Sequence, residues 1–148
     1  MKRILTTIIA FIFIISMFPC AFAAEQGTEV LYQEIDLGNG IVIIDRITEY
    51  TNARAAGKTA TRTKEIYKDD VLIGSITLFG EFRYDGTSVS VFYKAVTRTD
   101  TYEGWSYKQN SLTSSGGTIT LDAKLTKLLF LNIPFTITLT CDANGNIS

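Results

Sequence analysis

From Val30 onward, apolar and polar residues alternate with a period of two, and short clusters of Gly, Asp and Asn break the alternation at regular intervals. No stretch sustains the 3.6-residue period of an amphipathic helix, so the pattern predicts about eight β-strands and no helices in this region. A first hairpin is expected from Val30 to Leu37 and Ile41 to Tyr50 around Gly38-Asn39-Gly40, followed by a loose connection from Thr51 to Lys58. A third strand, Thr59 to Lys68, turns at Asp69-Asp70. The strongest hairpin signal is Val71 to Tyr84 joined to Thr87 to Thr99 through Asp85-Gly86, a two-residue type I′ turn by composition. That turn sets a register in which Phe82 faces Val89, Gly80 faces Val91, Leu78 faces Tyr93 and Ile76 faces Ala95 on a core face. The opposite face then pairs Glu81 with Ser90, Thr77 with Lys94, and Phe79 with Phe92.

After a loop from Asp100 to Gly104, Trp105 to Ser114 and Thr118 to Phe130 read as a further hairpin across Ser115-Gly116-Gly117. Phe135 to Asp142 closes the pattern, with Pro134 at the strand start, where its missing N–H costs little. Many short strands without intervening helices predict an all-β fold: an antiparallel β-sandwich or a partly closed barrel.

The first 23 residues break this pattern. Lys2 and Arg3 precede an almost entirely apolar run from Ile4 to Phe18, and Ala21-Phe22-Ala23 places small residues where a signal peptidase cuts. This is the layout of a secretory signal peptide cleaved after Ala23, leaving residues 24–148 as one exported domain. The run is shorter than the roughly 20 residues of a spanning helix, which argues against a membrane anchor. A lipoprotein modified at Cys20 is the other reading, but Pro19 stands where such signals carry a small residue.

Removing the leader changes what composition implies. It takes Lys2 and Arg3 with it, moving the formal net charge from −1 to −3 with neither sign gathered into a block, which disfavours a nucleic-acid partner. It also takes Cys20, so Cys141 has no partner for an intrachain disulfide and stability must come from the core. The sequence contains no His, removing the commonest general base and metal ligand. Carboxylate-only hydrolysis survives that exclusion.

The stretch Ile76-Thr77-Leu78-Phe79-Gly80-Glu81-Phe82-Arg83-Tyr84-Asp85-Gly86-Thr87-Ser88, the Lys/Thr-rich strand with Tyr67, the opening Trp105-Ser106-Tyr107 and the ending Leu139-Thr140-Cys141-Asp142-Ala143-Asn144-Gly145-Asn146 together resemble a family of small uncharacterised secreted proteins of Gram-positive bacteria. The resemblance spans Arg62 to Ser148. It implies a shared fold and export, and no activity.

Several residues invite a chemical role. Cys141 alternates with Leu139 and Ile137 and reads as a small core residue rather than a nucleophile. Asp69-Asp70, a possible Glu34–Asp45 pair across the first hairpin, and Asp142-Ala143-Asn144-Gly145-Asn146, a partial calcium-loop pattern, supply the candidate carboxylates. Tight turns favour these residue types for backbone reasons, so no metal site is assigned. Tyr102, Trp105 and Tyr107 flank one loop, a distribution suited to stacking on sugar rings, although Trp105 and Tyr107 at i and i+2 also suit a core. Phe79 and Phe92 pose the same choice between a patch and a face covered by a second sheet.

The expected function is non-catalytic extracellular binding to a surface glycan, the cell wall or a protein. No cofactor and no stable membrane anchor are expected after leader removal. A carboxylate-dependent hydrolase and a secreted toxin or bacteriocin-like effector are the alternatives.

Overall fold

The computed structural model describes residues 27–50, 57–99, 101–128 and 131–148. The leader with residues 24–26, the 51–56 connection and residues 100, 129 and 130 lie outside them. Eight antiparallel strands form two sheets: β1 (Gly27–Gly38), β2 (Ile41–Tyr50), β3 (Gly57–Lys68), β4 (Val71–Tyr84) and β5 (Val89–Arg98) in one, β6 (Trp105–Ser115), β7 (Thr118–Lys127) and β8 (Leu131–Thr140) in the other. Each strand pairs with its sequence neighbours, so both sheets are meanders. The two sheets face each other as a β-sandwich.

Alternation builds the core. β7 buries Ile119, Leu121, Ala123 and Leu125, and β8 buries Ile133, Phe135, Ile137 and Leu139, every second residue in each strand. Against them the larger sheet sets Ile43, Ile47, Ala60, Ile66, Ile76, Leu78 and Phe82. Each large side chain so buried contributes about 1.5–3 kcal/mol, and the ladder fixes the facing that makes burial possible.

The β4–β5 register differs from the one the sequence predicts. Tyr84 pairs with Val89, so the loop holds four residues, Asp85 to Ser88. The Asp85 carboxylate accepts hydrogen bonds from the Thr87 and Ser88 amides and from both their hydroxyls. These bonds stabilise the wider loop more than a two-residue turn would. A bulge between Glu81 and Phe82 then leaves Phe92 without a partner, and Leu78 faces Val96, Gly80 faces Lys94 and Ile76 faces Arg98. Tyr93 and Ala95 consequently turn to the outer face.

Two-residue turns occur instead at Asn39-Gly40 and Asp69-Asp70, where φ is 53° and 71°, then 50° and 62°. Asp tolerates this left-handed region better than most side chains. The last strand begins at Leu131, which places Pro134 inside β8 rather than at its start. An edge strand tolerates this when the missing N–H points away from the neighbouring strand.

Five strands over three leave one side of the sandwich closed and the other open. On the closed side Lys94 donates to the Ser114 hydroxyl at 2.7 Å and the Arg98 guanidinium lies 5.3 Å from the Tyr107 ring centre. On the open side β8 lies over β3, and β1 extends past it with only Leu31 and Ile35 half-buried. A cavity of about 340 Å³ there is lined by Val30, Leu31, Ile47, Arg62, Ile147 and Ser148.

The free edge of β8 is occupied by the chain itself. Thr140 and Ser148 exchange both backbone hydrogen bonds, at 2.8 and 2.9 Å. By alternation, Thr138 and Pro134 face the same edge. The Thr138 carbonyl accepts from Arg62 Nη1 at 2.7 Å, and Pro134 has no N–H to offer. Edge strands blunted in this way resist pairing with another chain.

Candidate functional site

The candidate residues fall in two separate places, the outer face of the five-stranded sheet and a cleft at one end of the sandwich. On the outer face, strand pairing aligns Tyr32, Arg46, Thr63, Thr77 and Thr97 in one row across the sheet. A neighbouring row carries Thr61, Phe79 and Ala95, and the next carries Glu81 and Tyr93. Tyr32, Phe92 and Tyr93 are 54%, 59% and 52% exposed. Among the described residues, the second sheet packs only on the opposite face, so Phe79 and Phe92 are not covered by it, contrary to the sequence expectation.

Phe79 and Phe92 also do not pair, because the four-residue loop and the β5 bulge together set Phe79 opposite Ala95. Phe79 instead meets Tyr93 edge-on with ring centres 5.9 Å apart, and the Arg83 guanidinium sits 3.7 Å from the Phe92 ring centre. At the other end, Arg46 forms hydrogen bonds of 3.4 and 3.1 Å to the Glu65 carboxylate and lies 5.6 Å from the Tyr32 ring centre. The Tyr67 hydroxyl donates to Glu65. Desolvation and the adjacent carboxylate raise the Tyr67 phenol above its ordinary value, so it remains a neutral donor at physiological pH. Rings flanked by guanidinium planes thus give this face flat surfaces, with threonine hydroxyls between them.

The second place is a cleft of about 190 Å³ where the β3–β4 turn meets the loop entering β6. Lys68 and Asp69 form one wall, Val71 and Ile73 lie at the start of β4, and Tyr102, Trp105 and Lys127 complete it. Trp105 is 7% exposed and belongs to the core, with Lys127 Nζ 5.9 Å from its ring centre. Tyr102 is 54% exposed. Tyr107 does not join them: it lies half-buried beside Arg98, where burial raises its phenol above the usual value.

Three of the carboxylates singled out by sequence, Asp45, Asp69 and Asp142, are drawn to a neighbour. Bulges in β1 place Asp45 opposite Gln33 and Glu34 opposite Ile44, so the expected Glu34–Asp45 pair does not form. Asp45 instead points between the sheets, 1% exposed, accepting from Arg62 at 2.9 and 2.7 Å with Lys64 at 3.6 Å. Burial pushes the Lys64 ammonium below the usual lysine value, against the opposing pull of Asp45. Asp69 pairs with Lys68.

Asp142 accepts from the Asn144 and Asn146 amides and from the Asn146 side chain, closing the 142–146 turn on itself. Hydrogen bonds, chiefly from Asn146, hold this carboxyl below its ordinary range. Among the described residues no group of three or more metal-binding side chains is placed to hold an ion. Cys141 is 1% exposed, and burial followed by the nearby Asp142 charge raises its thiol.

Sequence reasoning missed Tyr32, Arg46, Tyr93 and the cleft lysines. The Thr61, Thr63 and Tyr67 alternation on β3 signalled a polar outer face, but the bulge that turns Tyr93 outward left no local signal. Comparison of the chain with protein-family models, with curated proteins and with solved structures found no match.

Proposed function

We propose that this is a secreted, non-catalytic binding protein whose outer five-stranded face takes an extracellular glycan such as a cell-wall polysaccharide. The observation that carries the reading is the open face with exposed rings at both ends, Tyr32 on β1 and Phe92 and Tyr93 on β5, and threonine hydroxyls between. Four strand spacings separate those ends, roughly 19 Å, which suits an extended polymer better than one sugar ring. Aromatic rings supply flat apolar contact for sugar C–H faces, while Thr61 and Thr97 offer hydroxyls and the Thr63 and Thr77 pair, hydrogen-bonded to each other at 2.8 Å, keeps one donor between them. The commitment of Asp45, Asp69 and Asp142 to internal partners weighs against a carboxylate-driven hydrolase.

Co-sedimentation with insoluble cell-wall polysaccharide tests this reading. The purified protein should pellet with the polymer, and Tyr32→Ala combined with Tyr93→Ala should remove it from the pellet while its thermal midpoint stays near native. Undiminished binding by that pair would refute the assignment to this face.

A further inference from the structure

We infer that the cleft between the β3–β4 turn and the 101–105 loop is a second binding site, specific for a single carboxylated sugar residue. Its walls are fixed by hydrogen bonds. Tyr102 N donates to the Ile73 carbonyl at 3.3 Å, Trp105 N donates to the Tyr102 carbonyl at 2.9 Å, and the Thr101 hydroxyl donates to the Trp105 carbonyl at 2.8 Å. Tyr102 is therefore anchored through its backbone while its ring stays exposed. The cleft is largely formed before any ligand arrives, which lowers the ordering cost of binding.

Charge decides the ligand class. Lys68 is neutralised by Asp69 within the turn, whereas Lys127 makes no ion pair among the described residues and rests over the Trp105 ring. Among the described residues lining the cleft, one ammonium thus stands without a counter-charge, above an apolar floor that includes Val71 and Ile73. A ligand complementary to this arrangement carries one negative charge and a flat apolar face. A uronic acid meets both requirements: its carboxylate pairs with Lys127, its C–H face lies against Tyr102, and its hydroxyls reach the Asp69 carboxylate. The volume of about 190 Å³ lies below that of pockets for drug-sized ligands and suits one ring. This site is separate from the outer sheet face, so either assignment stands or falls without the other.

Trp105 is the sole tryptophan and lines the cleft, so its fluorescence reports on occupancy. The purified protein is titrated with a short oligouronate and, in parallel, with a neutral oligoglucoside of equal length, by fluorescence and calorimetry. The oligouronate is expected to bind at least about tenfold tighter, a difference of about 1.4 kcal/mol, and raised salt should shrink that preference.

Lys127→Gln should abolish the preference without moving the thermal midpoint, and Tyr102→Ala should weaken both ligands. The Tyr32→Ala, Tyr93→Ala protein should retain oligouronate binding. Equal affinity for the two ligands, absence of oligouronate binding, an unaltered preference in Lys127→Gln, or loss of oligouronate binding in the outer-face variant would each overturn the assignment.

Discussion

Asp45 holds together charges that neither sheet would otherwise accommodate, and its replacement by Leu should be among the most damaging single changes in the chain. Its carboxylate is 1% exposed and accepts two hydrogen bonds from Arg62, whose remaining contact is the Thr138 carbonyl of the opposite sheet. Removing Asp45 leaves two cations, with side chains 20% and 13% exposed, facing an apolar space without a counter-charge. Breaking a buried pair in this way costs about 3–5 kcal/mol, and partial water access to Arg62 and Lys64 places the expected loss near the lower end.

With a urea dependence of about 1–3 kcal/mol per molar, a loss of about 3 kcal/mol moves the unfolding midpoint down by roughly 1–3 M. The triple change Asp45→Leu, Arg62→Met, Lys64→Met removes all three charges and should recover most of that loss. It leaves the Thr138 carbonyl without its Arg62 donor, a penalty of about 1–3 kcal/mol, so recovery should be incomplete. Urea titration followed by Trp105 fluorescence measures both proteins. A midpoint for Asp45→Leu within about 0.5 M of native, or a triple variant weaker than the single one, would refute the reasoning.

Three further outcomes are expected. Gly80→Ala should lower stability by about 1–3 kcal/mol in denaturant titration, because its Cβ would stand 2.7 Å from Ile119 Cδ1 and 2.8 Å from the Phe82 ring in the packed core. Cys141 should resist thiol reagents at pH 8 in the native protein and react once unfolded, since burial both blocks access and raises its thiol. Hydrogen bonds from Thr87 and Ser88 hold the Asp85 carboxyl below its unfolded value of 3.8, so this carboxylate's contribution to loop order is present above that value and lost as pH falls through the lower folded one. Asp85→Ala should accordingly speed amide exchange at Thr87 and Ser88 at neutral pH.

Alternation made the strands legible, and Asn39-Gly40 and Asp69-Asp70 marked two of the turns correctly. Register was not: the one read in detail, across β4 and β5, fails because a side chain competes with the backbone. Asp85-Gly86 has the composition of a two-residue turn, yet the Asp85 carboxylate recruits four donors and widens it. The slip this creates, with the bulge at Phe92, exchanges Tyr93 for Lys94 on the inner face. The candidate sites suffered most from this, because a side chain's face is the first thing a register shift changes. Tyr102 and Trp105 were found as a sequence cluster, but Lys68 and Lys127 reach the same cleft from other strands and share no local pattern with them.

Because each ladder joins strands adjacent in sequence, folding needs few long loop closures. Each hairpin closes a short segment, and β1–β5 and β6–β8 can zip by successive local steps. Low contact order of this kind favours rapid folding compared with sandwiches whose strands cross between sheets. The long-range contacts, among them Arg62 to Thr138 across 76 residues, then belong to the docking of two formed sheets. A mutation at Arg62 should therefore speed unfolding through the lost Thr138 contact and slow refolding only through its Asp45 pair in the β2–β3 ladder, so this guanidinium is a latch on the finished molecule as well as a local brace during its assembly.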